Sequence, residues 1–164
     1  MGRVYTVPWT GTVTAAGGDT DLWEFLPAAN KPIILRGFTL GETTEVGDAA
    51  EEGLRITIRH MAATVTSGSG GATPTISQLP VGSTKAAGFT SEVNNTTVAT
   101  TSGTSTIVEE MSWINRNTPF EKWYPDVQFC HGAINGEGLF IRMETTLADD
   151  MTFAGTAWVE ETGG

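Results

Sequence analysis

The segment LRITIRH at residues 54–60 decides the fold class, because its side chains alternate in character. Leu54, Ile56 and Ile58 are aliphatic, whereas the residues between them are Arg and Thr. An alternation with a period of two predicts a β-strand that has one buried face and one solvated face. LFIRME at residues 139–144 has the same pattern. No segment keeps the 3.6-residue period of a helix for more than two turns.

Residues 62–106 separate the strand-like parts of the chain and are mostly Ser, Thr, Gly, Ala and Asn. Short polar residues of this kind favour turns and loops. Within this segment, only residues 76–81 and 89–93 have enough apolar content to dock on a core. Thr fills 27 of the 164 positions, and β-branched residues favour strands. We therefore expect long polar loops on a β scaffold.

Three further segments have strand character, at residues 32–40, 104–114 and 151–160. The turn residues at 148–150 predict that strands 139–144 and 151–160 pair as an antiparallel hairpin. The strand count is about eight, and the connections are too long for a simple meander. The sequence thus predicts an all-β fold, an antiparallel two-sheet sandwich that is jelly-roll-like and has long polar loops.

The length of 164 residues is that of one ordinary domain. We interpret residues 1–15 as an N-terminal arm that bends at Pro8 and Trp9 and packs on the sheet. Residues 16–164 are interpreted as a single β-sandwich domain. Cys130 is the one cysteine, so an intrachain disulfide is excluded. Packing must hold the fold together, either alone or with association between chains.

Nine basic and nineteen acidic side chains give a net charge of −10. This charge repels phosphate backbones and anionic membrane surfaces, so we expect neither a nucleic acid nor a membrane as partner. The start of the chain lacks a signal-peptide pattern, and no apolar stretch approaches the ~20 residues that cross a bilayer. Synthesis and folding in a reducing cytosol is the expectation.

Residues with catalytic or metal-binding chemistry are few. Zinc takes three or four ligands, and His60 is 70 residues away from the pair Cys130 and His131, so a hydrogen-bonded histidine and a packed cysteine are favoured. The acidic run at residues 42–52 lacks the spacing of a calcium loop and is typical of a solvated loop. Neither a Gly-x-Ser-x-Gly elbow nor a phosphate loop is present. We predict no catalytic residue, no metal, no cofactor and no enzymatic activity.

An aromatic cluster at residues 120–129, together with a tryptophan near the start, is the strongest candidate for recognition. Trp and Tyr are enriched in binding hot spots, and their rings stack on sugars and on Pro-rich peptides. The alternative is that most of the five Trp residues fill the core. The predicted interface residues are Trp9, Phe120, Trp123 and Tyr124.

The chain contains, in order, a bent N-terminal arm, AAGGDTDLWEFLPAANKPIILRGFTL at residues 15–40, VGDAAEEGLRITIRHM at 46–61, a Ser/Thr/Gly-rich middle, and LADDMTFAGTAWVEE at 147–161. This order resembles the small jelly-roll decoration (cement) proteins on the heads of tailed bacteriophages. The resemblance implies a non-enzymatic virion protein, made in the host bacterial cytoplasm, that binds the outer capsid surface and stabilises the head. Its partners would be the major capsid protein and, in a homotrimer, further copies of itself.

Two other classes of function stay open at this point. A carbohydrate- or receptor-binding β-sandwich, such as a fibre or tail tip, would use Trp123, Tyr124 and neighbouring loops as a stacking platform. A hydrolase built on the same sandwich would need two convergent carboxylates, whose separation of ~5–10 Å is set by the fold and not by the sequence.

Overall fold

A computed structural model describes residues 2–15, 17–43, 51–80, 82, 85–116, 119–126 and 130–163. Within these residues the chain forms thirteen β-strands and no helix. The strands are β1 Arg3–Val13, β2 Thr20–Pro27, β3 Ile33–Glu42, β4 Gly53–Met61, β5 Val65–Thr66, β6 Ser77–Leu79, β7 Phe89–Asn95, β8 Thr100–Thr101, β9 Ser105–Ile114, β10 Phe120–Trp123, β11 His131–Ala133, β12 Gly138–Met143 and β13 Met151–Glu161.

The strands build two main antiparallel sheets. Sheet A has the order β10-β3-β13-β1-β6, with β11 also paired to β3, and sheet B has the order β7-β2-β12-β4-β9. β5 and β8 form a separate pair. The inner faces of the two sheets share one core, in which Trp9 of β1 packs against Trp23 of β2 with ring centroids 5.8 Å apart. The prediction of an all-β antiparallel fold in two main sheets is confirmed.

The predicted count of about eight strands is not confirmed. Five of the thirteen strands in the described residues, β5, β6, β8, β10 and β11, have only two to four residues. An alternation of side chains is recognised over about four to eight residues, so strands of two or three residues are too short for a pattern-based prediction and β10, with four, is at the limit.

The predicted hairpin of the last two long strands is wrong, because β12 lies in sheet B between β2 and β4, whereas β13 lies in sheet A between β1 and β3. The connection therefore crosses from one sheet to the other. All six residues of β12 are buried, as expected of a central strand covered on both faces. A short turn signal between two strands does not reveal whether they pair or belong to facing sheets.

The N-terminal residues form a full strand of sheet A, without the bend that we expected at Pro8. β1 pairs with β13 along its whole length, and with β6 only from Val4 to Thr6. Beyond Thr6 one edge of β1 has no partner strand among the described residues. Proline is accepted at such an edge position, because the amide proton that it lacks would not have been part of a ladder.

Residues 62–72 and 96–104 of the polar segment cover the outer face of sheet B. Phe140 of β12 points to this face and packs with Met61 and Ala99, and Leu26 and Val65 border the cluster. Within the segment β5 and β8 pair with each other, while β6 joins sheet A and β7 joins sheet B. Residues 62–72 and 96–104 therefore form a second layer over sheet B, which explains why β2 and β12 are buried on both faces.

A buried ion pair lies under this layer. Arg142 donates from Nε to Asp21 Oδ1 at 2.6 Å and from Nη2 to Oδ2 at 3.2 Å. The backbone N–H of Ala99 donates to Asp21 Oδ2 at 2.7 Å, and Arg142 Nη2 donates to the Ala99 carbonyl at 3.3 Å. The side chains are 7% and 0% exposed, so the polar layer supplies the contacts that water would otherwise make.

Glu24 is a second buried acid under the same layer. Its Oε2 accepts hydrogen bonds from the Gly68 backbone N–H at 3.1 Å and from Asn95 Nδ2 at 3.2 Å. Burial raises the pKa of the Glu24 carboxyl, and the hydrogen bonds that it accepts do not compensate for this effect. A charged Glu24 is therefore unfavourable in the folded chain.

Candidate functional site: the open side of the sandwich

The apolar side chains that the fold leaves exposed are concentrated on one side of the sandwich. Among the described residues, the exposed large hydrophobic residues are Leu79, Ile107, Val108, Ile114, Trp123 and Ile134. Three of these six belong to β9, one ends β10, and one follows β11. We use the term open side for β9, β10 and β11 together with Tyr124 and Ile134. Only Leu79, on β6, lies elsewhere.

The open side is the place where the edges of the two sheets meet, and Glu109 of β9 joins them. Glu109 lies opposite Ile58, whose side chain belongs to the core, so the Glu109 carboxylate points between the sheets. Its Oε1 is 2.5 Å from Lys122 Nζ. Its Oε2 accepts a hydrogen bond from the Tyr124 hydroxyl at 2.5 Å and lies 2.9 Å from His131 Nε2.

These contacts shift the pKa values of Glu109 and Tyr124. Burial on its own would raise the pKa of Glu109, but the hydrogen bonds from Lys122, Tyr124 and His131 outweigh it and hold that pKa below its usual range. Burial and the Glu109 carboxylate raise the pKa of Tyr124, so its hydroxyl stays protonated and donates. Both carboxylate oxygens of Glu109 have partners, which suits a structural bridge between sheets and not a general acid or base.

A second bridge lies further along the open side. His60 of β4 has its Nε2 2.9 Å from Glu137 Oε2, and the same oxygen accepts the backbone N–H of Ile134 at 3.0 Å. His60 is opposite Thr106 of β9, so its contact with Glu137 lies one strand away from the N-terminal half of β9. Both histidines of the chain thus lie at this side, each against a glutamate.

A groove of about 400 Å³ opens between β9 and the residues that follow β10. Val108, Trp123 and Pro125 supply its apolar lining, and the Glu109 cluster supplies its polar lining. Trp123 is 49% exposed and has one side against Trp158, with ring centroids 4.5 Å apart. The groove therefore contains the exposed indole ring of Trp123, which packs on one side against Trp158, and the hydrogen-bonded polar groups of the Glu109 cluster.

The four predicted interface residues lie in different environments. Trp9 is only 7% exposed and belongs to the core, as the alternative interpretation of the aromatic residues had it. Phe120 is half-buried and packs on the same core. Trp123 and Tyr124 do lie on the open side, but only Trp123 is exposed. Residues 127–129, the end of the aromatic segment, are outside the described residues.

Several residues of the open side were not among those predicted from the sequence, namely Ile107, Val108, Glu109, His131 and Ile134. Residues 105–108 at the start of β9 are all exposed, although strand 104–114 was predicted from its apolar residues. The available signal was the pair of glutamates in the middle of that strand, because paired charges are unusual in a strand that the core covers.

The described residues contain no group of three or more His, Cys, Asp or Glu side chains arranged to hold a metal ion. His60 and His131 are each hydrogen-bonded to a different glutamate, and Cys130 Sγ accepts a hydrogen bond from Arg36 Nη1 at 3.4 Å. Of the acidic run at 42–52, residues 44–50 are outside the described part of the chain. In the described part, no helix is long and apolar enough to cross a membrane.

Comparison of the chain with protein-family models, with curated proteins and with solved structures finds no match.

Proposed function

We propose that the chain is a non-enzymatic virion structural protein that binds the outer surface of a phage capsid through its open side and stabilises the head. The observation that carries this proposal is the concentration of five of the six exposed large hydrophobic residues on one side of the described structure. Exposed apolar side chains grouped on one surface mark interaction sites, since each is costly to leave in water.

The finer parts of the proposal concern architecture and assembly. The two facing sheets are proposed to be a variant of the jelly roll, with the major capsid protein as partner and a homotrimer as the assembled form. The net charge of −10 suits a protein on the outside of the head, because it is repelled by the packaged nucleic acid.

The physical mechanism is linkage. A protein that binds only the assembled lattice stabilises it by mass action, by about 2.7 kcal/mol per site at a free concentration one hundred times the Kd. A trimer with three such sites gains further from avidity. The chain needs no chemical reactivity for this role.

The test is the melting temperature of heads assembled without the chain, measured by differential scanning calorimetry before and after its addition. We expect the chain to raise this temperature, Ile107→Asp to abolish the increase, and Leu79→Asp to preserve it. Both residues are 37% exposed, but only Ile107 lies on the open side, so Leu79→Asp is a matched control. An unchanged melting temperature despite stoichiometric binding, or equal loss in both variants, would contradict the proposal.

A second candidate function is the binding of a carbohydrate or a glycosylated receptor, as at a fibre or tail tip. The observation in its favour is the exposed ring of Trp123 beside a groove that also presents Lys122 and His131. A glycan array would show binding that Trp123→Ala removes and that Ile114→Ala, at the far end of β9, retains. Absence of any bound glycan leaves the capsid proposal as the better one.

A further inference from the structure

β9 is an open sheet edge ten residues long. Among the described residues it pairs only with β4, and no second strand follows it in sheet B. The opposite edge strand, β7, is not open to the same degree, because Val93 and Ala72 exchange two backbone hydrogen bonds of 2.9 Å. A long edge strand with exposed apolar side chains is a template for pairing with another chain.

The contacts between β4 and β9 show which side chains suit a strand that pairs with β9. β4 alternates core-facing Leu and Ile with outward-facing Arg. Arg55 Nε donates to Glu110 Oε1 of β9 at 2.5 Å, on the outer face of sheet B. On the inner face Met111 lies opposite Ile56. A strand added at the free edge would meet the same side chains, so basic residues suit its outer face and apolar residues its inner face.

A second copy of the chain fits this edge poorly. Two β9 strands paired antiparallel about their centres bring Glu109 and Glu110 of one close to those of the other, and like charges across a strand pair are destabilising. Each copy also has a net charge of −10. Charge complementarity therefore favours a different protein with basic residues.

We infer that β9 takes up an extended segment of a partner protein, in which apolar residues alternate with Lys or Arg, as an added strand of sheet B. The inference rests on the proposed function, because that partner is the protein that the open side binds. Backbone hydrogen bonds supply affinity in this mode, and the alternating side chains supply specificity.

The test uses a synthetic peptide, acetyl-GLRITIRHM-amide, which copies β4. Amide hydrogen exchange of the whole chain is followed by mass spectrometry as the peptide is added. We expect slower exchange in β9 and unchanged exchange in β7. The same peptide with alternate backbone nitrogens methylated should give no protection, because it cannot form the ladder.

Charge variants test the outer face. Ser112 of β9 and Thr90 of β7 are both exposed and lie on opposite edge strands of sheet B. Ser112→Lys should weaken peptide binding about two- to five-fold and Ser112→Glu should strengthen it by a similar factor, whereas Thr90→Lys and Thr90→Glu should leave it unchanged. Circular dichroism confirms that each variant is folded.

Three outcomes would overturn the inference: no protection of β9 at about 1 mM peptide, equal protection by the methylated peptide, or protection in the chain alone that grows with its concentration. The last outcome, with a dimer mass by light scattering, assigns the edge to a second copy. If the chain stabilises heads in a way that depends on Ile107 but does not bind the peptide, the proposed function stands and only the inference of strand addition is wrong.

Discussion

Replacing Arg142 by Met tests whether the polar layer at residues 62–72 and 96–104 seals the outer face of sheet B. In the native chain Arg142 gives Asp21 two of its three hydrogen bonds, and both side chains are almost completely shielded from solvent. Removing one partner of a buried ion pair leaves an uncompensated charge, at a cost of about 3–5 kcal/mol. Since a domain has a total stability of about 5–15 kcal/mol, this is a large fraction of it.

The measurement is urea unfolding at pH 7, followed by the fluorescence of the five Trp residues. In a thermal unfolding experiment the same loss of about 3–5 kcal/mol would lower the melting temperature of a chain of this length by about 6–20 °C. The matched control is Arg55→Met, on the same face of the same sheet, where the arginine side chain is 45% exposed. Arg55 pairs with the exposed Glu110 and with Glu144, and Glu144 keeps Arg59 as a partner when Arg55 is replaced. We expect a much smaller change there, because water replaces the lost partner.

Two further variants separate charge from packing. The double variant Asp21→Leu with Arg142→Met should recover most of the stability, because apolar residues of similar volume replace a buried ion pair at little net cost. The loss in Arg142→Met alone should shrink as the pH falls towards 4, because the isolated Asp21 carboxyl then takes up a proton. A loss below about 1 kcal/mol for Arg142→Met at pH 7 would refute the reasoning, since it would mean that water reaches Asp21.

The remaining predictions concern single side chains. The pKa of Glu24 is raised in the folded chain, so the native protein loses stability as the pH rises above the unfolded-state pKa; Glu24→Gln should therefore raise the melting temperature at pH 7 by a few degrees, with no difference near pH 4. Trp23→Ala should cost about 3–5 kcal/mol in chemical unfolding, because the indole is fully buried and donates to the Val7 carbonyl at 2.9 Å, whereas Trp123→Ala should cost far less. Tyr124→Phe removes a hydrogen bond to a carboxylate and should cost about 1.5–3 kcal/mol, with a rise in the pKa of Glu109 that NMR titration would detect.

The sequence predicts the features of this fold that depend on local pattern. Residues 54–60 and 139–144 alternate because one of their faces packs on the shared core, and both are strands at those positions. Pairing is non-local, so the partner of β12 was not predictable from the turn that follows it. Whether an aromatic residue is buried also depends on tertiary structure: Trp9 packs against Trp23 of the facing sheet in the core, whereas Trp123 lies on β10, at the edge of sheet A.

The candidate site depends almost wholly on tertiary structure. Glu109 and His131 are 22 residues apart in the chain, and His60 and Glu137 are 77 apart, so neither pair is visible as a motif. The buried pair of Asp21 and Arg142 spans 121 residues. Such contacts can be predicted only when the sheet order is known. The polar composition of residues 62–106 also gave no indication that part of this segment would form a layer over sheet B.

We propose that the open side is the surface by which the chain docks on another protein. Amide hydrogen exchange of the chain, free and bound to heads, tests it most directly. We expect slower exchange in β9 and in residues 122–124 on binding, with β6 and β7 unchanged. Protection of β6 around Leu79, with β9 as exchangeable in the bound as in the free chain, would contradict it.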